Sequence, residues 1–275
     1  MHPLRRLSLL VGLVVALLAP TAPASAAPPP LPSSMAAVGD SITRAFDATF
    51  WGCLYSDCPA NSWSTGTSSS VLSHYRQLVA KNSPISGHAA NYARTGAKVD
   101  ELAGQMVKAA GAQYVTVLIG ANDLCTPTAD QMTSLSDFRT RFRAGLDAYF
   151  AGKAAGGLVF VSSIPDLDKL RLLGQTIPGA VSTWTNLKIC QSMLNPKASI
   201  ATLDLVRARE ADFNTALQQE CAAYAGRCLF DGGATFGTAF GRSDLSTLDY
   251  FHPSVAGQNK LAGVTWNAGW WRPGA

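Results

Sequence analysis

Met35-Ala36-Ala37-Val38-Gly39-Asp40-Ser41-Ile42-Thr43-Arg44 is the stretch from which the rest of the chain can be read. Met35 to Val38 are small or apolar and predict a short buried strand. Gly39 and Asp40 supply a tight turn, and Ile42 onward is expected to start a helix. A serine placed this way sits at the carboxyl end of a strand and in the first turn of a helix. Its hydroxyl is held outside the sheet, and nearby backbone N–H groups point outward. That suits a nucleophile, provided a base reaches it. Asp-Ser is also ordinary helix N-cap chemistry, so this stretch alone leaves both readings open.

Outward from Ser41, strand and helix patterns alternate. Cys53 to Ser70 is rich in Ser, Thr, Gly and Asn and reads as a loop. Val71 to Lys81 carries apolar residues at helical spacing. Ala89 to Tyr92 reads as a weak strand, followed by a turn through Gly96. Val99 to Ala110 reads as a helix with Asp100 and Glu101 in its first turn, where negative charge is favoured. Tyr114 to Ile119 is β-branched and nearly all apolar, the pattern of a strand buried on both faces. Ser136 to Phe150 is helical, and Gly157 to Ser162 is a further buried strand. Asp166 to Pro196 mixes signals and predicts an irregular insertion with short helices. Leu203 to Tyr224 reads as a long helix, Cys228 to Phe230 as a last strand, and Ser254 to Trp271 as a closing helix. This alternation predicts an α/β fold, a parallel sheet covered by helices on both faces with right-handed crossovers. Ligands bind such sheets beyond the carboxyl ends of the strands. The loops at Ser41, Gly96, Asn122 and His252 all follow strands and should meet at that edge.

The chain's ends and composition narrow the setting. Arg5-Arg6, an apolar run from Leu7 to Leu18 and the small residues Ala24-Ser25-Ala26 have the form of a secretory signal peptide over 1–26. A proline-rich leader over 27–34 and one domain over 35–275 follow, with no internal linker or repeat. Losing Arg5 and Arg6 lowers the formal charge from +4 to about +2. The remaining basic residues are scattered, which argues against a nucleic-acid partner. Six cysteines in an exported chain predict disulfides and an extracellular destination. They allow fifteen pairings; short separations favour Cys53–Cys58 and Cys221–Cys228, which leaves Cys125–Cys190. With no Cys-x-x-Cys pair and no histidines at ligand spacing, no metal site is expected.

A serine nucleophile needs a base, and beyond residue 26 only His74, His88 and His252 are available. His74 falls in a predicted helix, on a surface away from the strand ends. His88 precedes a strand and belongs to the opposite end of the sheet. His252 follows the last strand, and Asp249, three residues earlier, can reach back to its imidazole to fix the tautomer and stabilise the imidazolium. Donors for a tetrahedral oxyanion are available in the Gly96 backbone, the Asn122 side chain and the Ser41 backbone. Taken singly, each is equally at home as a turn or cap residue.

Gly39-Asp40-Ser41, Gly96, Gly120-Ala121-Asn122-Asp123 and Asp249-Tyr250-Phe251-His252-Pro253 together resemble the four blocks of the SGNH (GDSL) hydrolase family, in that family's order and across nearly all of 35–275. The resemblance implies a flavodoxin-like three-layer α/β/α sandwich with a five-stranded parallel sheet. It implies carboxylic-ester hydrolysis through an acyl-enzyme, with no metal and no cofactor. Ser41 becomes the nucleophile, His252 the base, Asp249 its partner, and Ser41, Gly96 and Asn122 the oxyanion donors. No Gly-x-Ser-x-Gly elbow is present, which argues against an α/β-hydrolase. Asn61 to Gly66 and Ile119 to Cys125 look similar to the phospholipase-B-like branch, which points to acyl esters of lipids or phospholipids. The expected partner is a small-molecule or lipid ester, met by a monomer with at most transient contact with a lipid interface. Leu170 to Leu173, Ile177 and Trp184 fit an acyl-chain contact or a satellite core equally. Two rivals stay open: a carbohydrate acetylesterase, marked by a wide polar cleft, and an exported binding protein on a non-catalytic hydrolase fold.

Overall fold

The computed structural model describes residues 27–81, 84–152, 156–224 and 226–274; the expected signal peptide, 1–26, lies outside the described residues. Five strands form one parallel sheet in the order β2-β1-β3-β4-β5. They are β1 (Met35–Gly39), β2 (Ala89–Asn91), β3 (Tyr114–Leu118), β4 (Leu158–Val161) and β5 (Cys228–Phe230). Every residue of β1, β3 and β4 is buried, whereas the edge strands β2 and β5 are half-buried. A central parallel strand has helices on both faces, so both side-chain rows must be apolar.

The two rows separate cleanly. Ala36 and Val38, Val115 and Val117, Val159 and Val161 face one core, with helices Leu102–Ala109, Leu135–Ala151 and Ile200–Ala222. Met35, Tyr114, Leu158 and Phe160 face another, with Leu78 of helix His74–Ala80 and Trp266 of helix Val255–Asn267. This is period-two alternation on both faces of one sheet, giving three layers. Five of the described helices start where the sequence offers an acceptor. Ser73, Ser134, Asp166, Ser199 and Ser254 each accept a backbone N–H as N-cap. The insertion resolves into three short helices, Leu167–Gln175, Ala180–Asn186 and Gln191–Leu194. No described helix is long and apolar enough to cross a membrane.

Disulfides join Cys53–Cys58, Cys125–Cys190 and Cys221–Cys228. The leader lies against the body, with Trp271 Nε1 donating to the Pro29 carbonyl at 2.8 Å.

Two local expectations fail. No helix follows Ser41: residues 41–47 run as consecutive turns. Asp40 Oδ1 accepts the Ile42 N–H at 2.9 Å, a side-chain turn that competes with helix initiation. Ala45 (φ 50°) and Asp47 (φ 54°) are then left-handed, a conformation no α-helix contains. Nor is His74 on a surface. It is fully buried, its Nδ1 2.8 Å from Tyr114 Oη and its Nε2 2.8 Å from Thr265 Oγ1. Burial pushes its pKa down to about 3, so the ring is neutral core material.

Candidate active site

The strand order reverses at β1, whose neighbours are β2 on one side and β3 on the other. A parallel sheet opens a crevice beyond such a switch point, and here Ser41, Gly96 and Asn122 follow the three strands that define it. Gly39 makes the close passage possible. Its φ is 137°, and a Cβ there would lie 2.0 Å from the Leu118 carbonyl oxygen of β3. No other residue type fits.

The backbone on either side of Asp40-Ser41 is gripped by two buried glutamines. Gln105 accepts the Gly39 N–H at 2.7 Å and donates to the Gly39 carbonyl at 3.0 Å. Gln258 donates to the Ile42 carbonyl at 2.8 Å and accepts the Trp63 N–H at 2.9 Å. These residues escaped the sequence reading. Each is a polar side chain on the core-facing side of its helix, which is the signal that could have found them. Trp63, within the 61–66 stretch, is fully buried and packs under this loop, its Nε1 donating to Thr43 Oγ1 at 3.3 Å.

His252 Nε2 lies 2.8 Å from Ser41 Oγ, and Asp249 Oδ2 lies 2.5 Å from His252 Nδ1. Asp249 Oδ1 accepts the backbone N–H groups of Phe251 (2.9 Å) and His252 (3.0 Å), so one carboxylate sets both the turn and the ring. Burial pushes the Asp249 pKa up. The hydrogen bond and charge of His252, with the two N–H donors, outweigh it, and the net shift is downward. The Phe46 ring leans on the imidazole at 5.0 Å between centroids. Of the other histidines, His88 gives its carbonyl to the Met35 N–H at the amino end of β1, and His74 is bonded to the first residue of β3. Both are at the far end of the sheet.

The donors expected around an oxyanion are tied to one another. Asn122 Nδ2 donates to the Ala97 carbonyl at 3.0 Å, which leaves its second N–H uncommitted. Asp123 Oδ2 accepts the Val99 N–H at 2.9 Å and its Oδ1 accepts the Thr133 hydroxyl at 2.7 Å. The loop after β3 therefore holds the Gly96 loop from two adjacent positions. Gly96 has φ 80°, with open space where a Cβ would stand. Among the described residues, neither the Ser41 nor the Gly96 N–H has a hydrogen-bond partner.

Two buried carboxyls stand behind the site. Desolvation pushes Asp40 up to about 7; its Oδ2 has no hydrogen-bond partner. Desolvation likewise pushes Asp123 up to about 6.

Beside the site lies an apolar pocket of about 270 Å³. Ile42, Ala121, Phe251 and Pro253, the chain neighbours of Ser41, Asn122 and His252, form its near wall, and Leu170, Leu172, Leu173 and Phe240 its far wall. The insertion's apolar residues thus divide. Leu170 to Leu173 reach the pocket, while Ile177 and Trp184 are buried in the main core. Phe240 and Leu245 come from a glycine-rich loop whose pattern has no period, so nothing in the sequence marked them.

The chain matches a family model described as GDSL-like Lipase/Acylhydrolase over residues 35–263. No curated protein sequence matches it. Among solved structures it resembles a catalytic mutant of Axe2, an acetylxylan esterase from Geobacillus stearothermophilus. The identity is 14%, with 87% of this chain and 96% of that one covered and a TM-score of 0.51. Est24, a carbohydrate acetylesterase from Sinorhizobium meliloti, is similar at 11% identity, with 83% and 94% covered and a TM-score of 0.51. An extracellular lipase from Streptomyces rimosus is similar at 16% identity, with 86% and 99% covered and a TM-score of 0.48. At these identities the likeness to solved structures is one of fold.

Proposed function

Because the chain belongs to the GDSL-like lipase/acylhydrolase family and is a serine carboxylic-ester hydrolase, we propose that it is an exported enzyme that cleaves acyl esters of lipids or phospholipids with Ser41, His252 and Asp249. The observation that carries this reading is the unbroken Asp249–His252–Ser41 chain beside an apolar pocket. The three disulfides and the residue 1–26 pattern support export.

Asp249 accepts Nδ1–H, so Nε2 carries the lone pair that faces the Ser41 hydroxyl. As Oγ attacks the ester carbonyl, its proton passes to Nε2, and the imidazolium is held by the Asp249 carboxylate. The oxyanion meets the N–H groups of Ser41 and Gly96 and the free N–H of Asn122. A lost donor of this kind typically costs about 3 kcal/mol of transition-state stabilisation. The proton on Nε2 goes to the departing alcohol, and water, activated by the same nitrogen, hydrolyses the acyl-enzyme and restores Ser41.

The acyl chain would occupy the pocket beside Ile42. The α-helix Leu167–Gln175, which contributes three leucines to its far wall, is tied to the body through Asp168, which pairs with Arg207 of the long helix.

A panel of p-nitrophenyl esters from acetyl to palmitoyl, run beside a phosphatidylcholine, tests the reading. Turnover should rise beyond acetyl and extend to the phospholipid. Hydrolysis confined to acetyl esters would overturn the lipid assignment and leave the acetylesterase alternative.

A further inference from the structure

The segment from Ser41 to Cys58 carries a feature the ester chemistry does not use. Phe50, Trp51, Leu54 and Tyr55 are 55%, 84%, 48% and 60% exposed, four large apolar side chains within six residues. Monomeric proteins seldom leave such a cluster facing water without a partner for it. The tip is also built to stay out. The Cys53–Cys58 bridge closes it, the Arg44–Asp57 ion pair (2.8 Å) braces it, and Asp47 and Ser56 are hydrogen-bonded across its base at 3.1 Å. Tyr55 holds a left-handed φ of 49° there.

The base of this loop belongs to the catalytic rim. Phe46 leans on His252, the Asp47 carbonyl accepts the Ser246 hydroxyl at 2.6 Å, and the Ala48 carbonyl accepts the Val255 N–H at 3.0 Å. Phe50 also lines an open groove of about 730 Å³ with Arg242, Ser243, Ser246 and Thr247. Arg242 is exposed and, among the described residues, has no ion-pair partner. An aromatic knob beside an unpaired guanidinium matches the two layers of a lipid surface. Trp and Tyr settle at the headgroup level with their rings toward the acyl region, and an arginine there meets phosphate.

We infer that residues 50–55 with Arg242 form a docking surface for an anionic lipid–water interface, placing the Ser41 rim at that interface. A second copy of the chain is the less fitting occupant. The four side chains together offer less than the roughly 800 Å² per partner that a stable protein interface buries. The inference rests on the lipid-ester reading of the same site, and its test separates the two.

The exported form of Ser41→Ala protein, residues 27–275, which leaves the vesicles intact, is floated with phosphatidylcholine vesicles with and without phosphatidylglycerol. It should bind, and bind better when phosphatidylglycerol is present. The double variant Trp51→Ala/Tyr55→Ala on that background should partition at least about tenfold less. Arg242→Gln should lose the preference for phosphatidylglycerol while still binding. With Ser41 restored, both variants should hydrolyse a water-soluble short-chain ester within about twofold of the unaltered chain, which checks the fold. Equal partitioning of the double variant, an unchanged phosphatidylglycerol preference in Arg242→Gln, or a concentration-dependent dimer abolished by the double variant in place of vesicle binding would each overturn the inference. Vesicle binding that follows the predicted variants, in an enzyme active only on acetyl esters, would support the docking surface and overturn the substrate reading.

Discussion

Ser41 is 6% exposed, so little of it meets water, and its Oγ is committed to one neighbour, His252 Nε2. Replacing it by alanine removes one oxygen from a backbone held by Gln105 and Gln258. Ser41→Ala should therefore keep its fold and lose at least ~10³ in kcat, the scale of nucleophile losses in serine hydrolases. Asp249→Asn should damage kcat less than His252→Ala, because the asparagine can still hold the turn through the Phe251 and His252 N–H groups; steady-state kinetics with circular dichroism checks both. Asp40 offers a different test. Its carboxyl is raised from 3.8 to about 7 by burial, so the folded state keeps a proton that the unfolded chain releases. The stability this contributes is fully present below the unfolded pKa and is lost as pH rises through the folded one. Asp123, raised to about 6, acts in the same direction. Asp249 acts oppositely: its pKa is depressed, and its contribution is lost as pH falls below the ordinary carboxylate range. Asp40→Asn should accordingly gain in melting temperature relative to the parent between pH 5 and pH 8. Parallel melting curves across that range would contradict the assignment.

At the scale of elements, the helix Leu167–Gln175 serves two surfaces at once. Leu170, Leu172 and Leu173 line the pocket, while Gly174 lets Trp184 of the next helix pass close beneath. A Cβ at Gly174 would fall 2.0 Å from the Trp184 ring. Trp184 is fully buried and donates through Nε1 to the Tyr250 carbonyl at 3.3 Å, in the turn between Asp249 and His252. Gly174→Ala should therefore cost about 1–3 kcal/mol by overpacking, and should lower activity on long acyl esters more than on acetyl esters. Thermal unfolding and the two kcat/KM values measure this. An unaltered chain-length profile would show that the helix covers the core without shaping the pocket.

For the whole molecule, the Cys125–Cys190 bridge ties the insertion to the loop that follows Asn122. The joint is reinforced where the Ser192 hydroxyl donates to the Leu124 carbonyl at 2.6 Å. This bridge spans 65 residues, against 5 and 7 for the other two. A longer loop loses more unfolded-state freedom on closure, with typical contributions of about 2–4 kcal/mol. Cys125→Ser/Cys190→Ser should lower stability by an amount in that range and more than Cys221→Ser/Cys228→Ser, as read from denaturant midpoints. The reverse ranking would mean that native packing, not chain closure, governs the bridges.

The sequence by itself determined the alternation of strands and helices and the buried character of β1, β3 and β4, and it singled out Ser41, Asp249 and His252 as the candidate triad. The strands rest on local periodicity; the candidates rest on the resemblance of their sequence blocks to the SGNH family and, for His252, on a histidine count low enough for elimination. The same local reading misjudged residues 41–47, where a side-chain turn from Asp40 displaced the helix, and His74, whose two hydrogen-bond partners lie 40 and 191 residues away. Only the tertiary structure decided that Gln105 and Gln258 hold the backbone on either side of Asp40-Ser41, and that Leu170 joins Ile42 and Phe240 around one pocket. It alone left the 50–55 tip uncovered. Each of these depends on what a side chain meets across space, and contacts between distant segments leave no period along the chain.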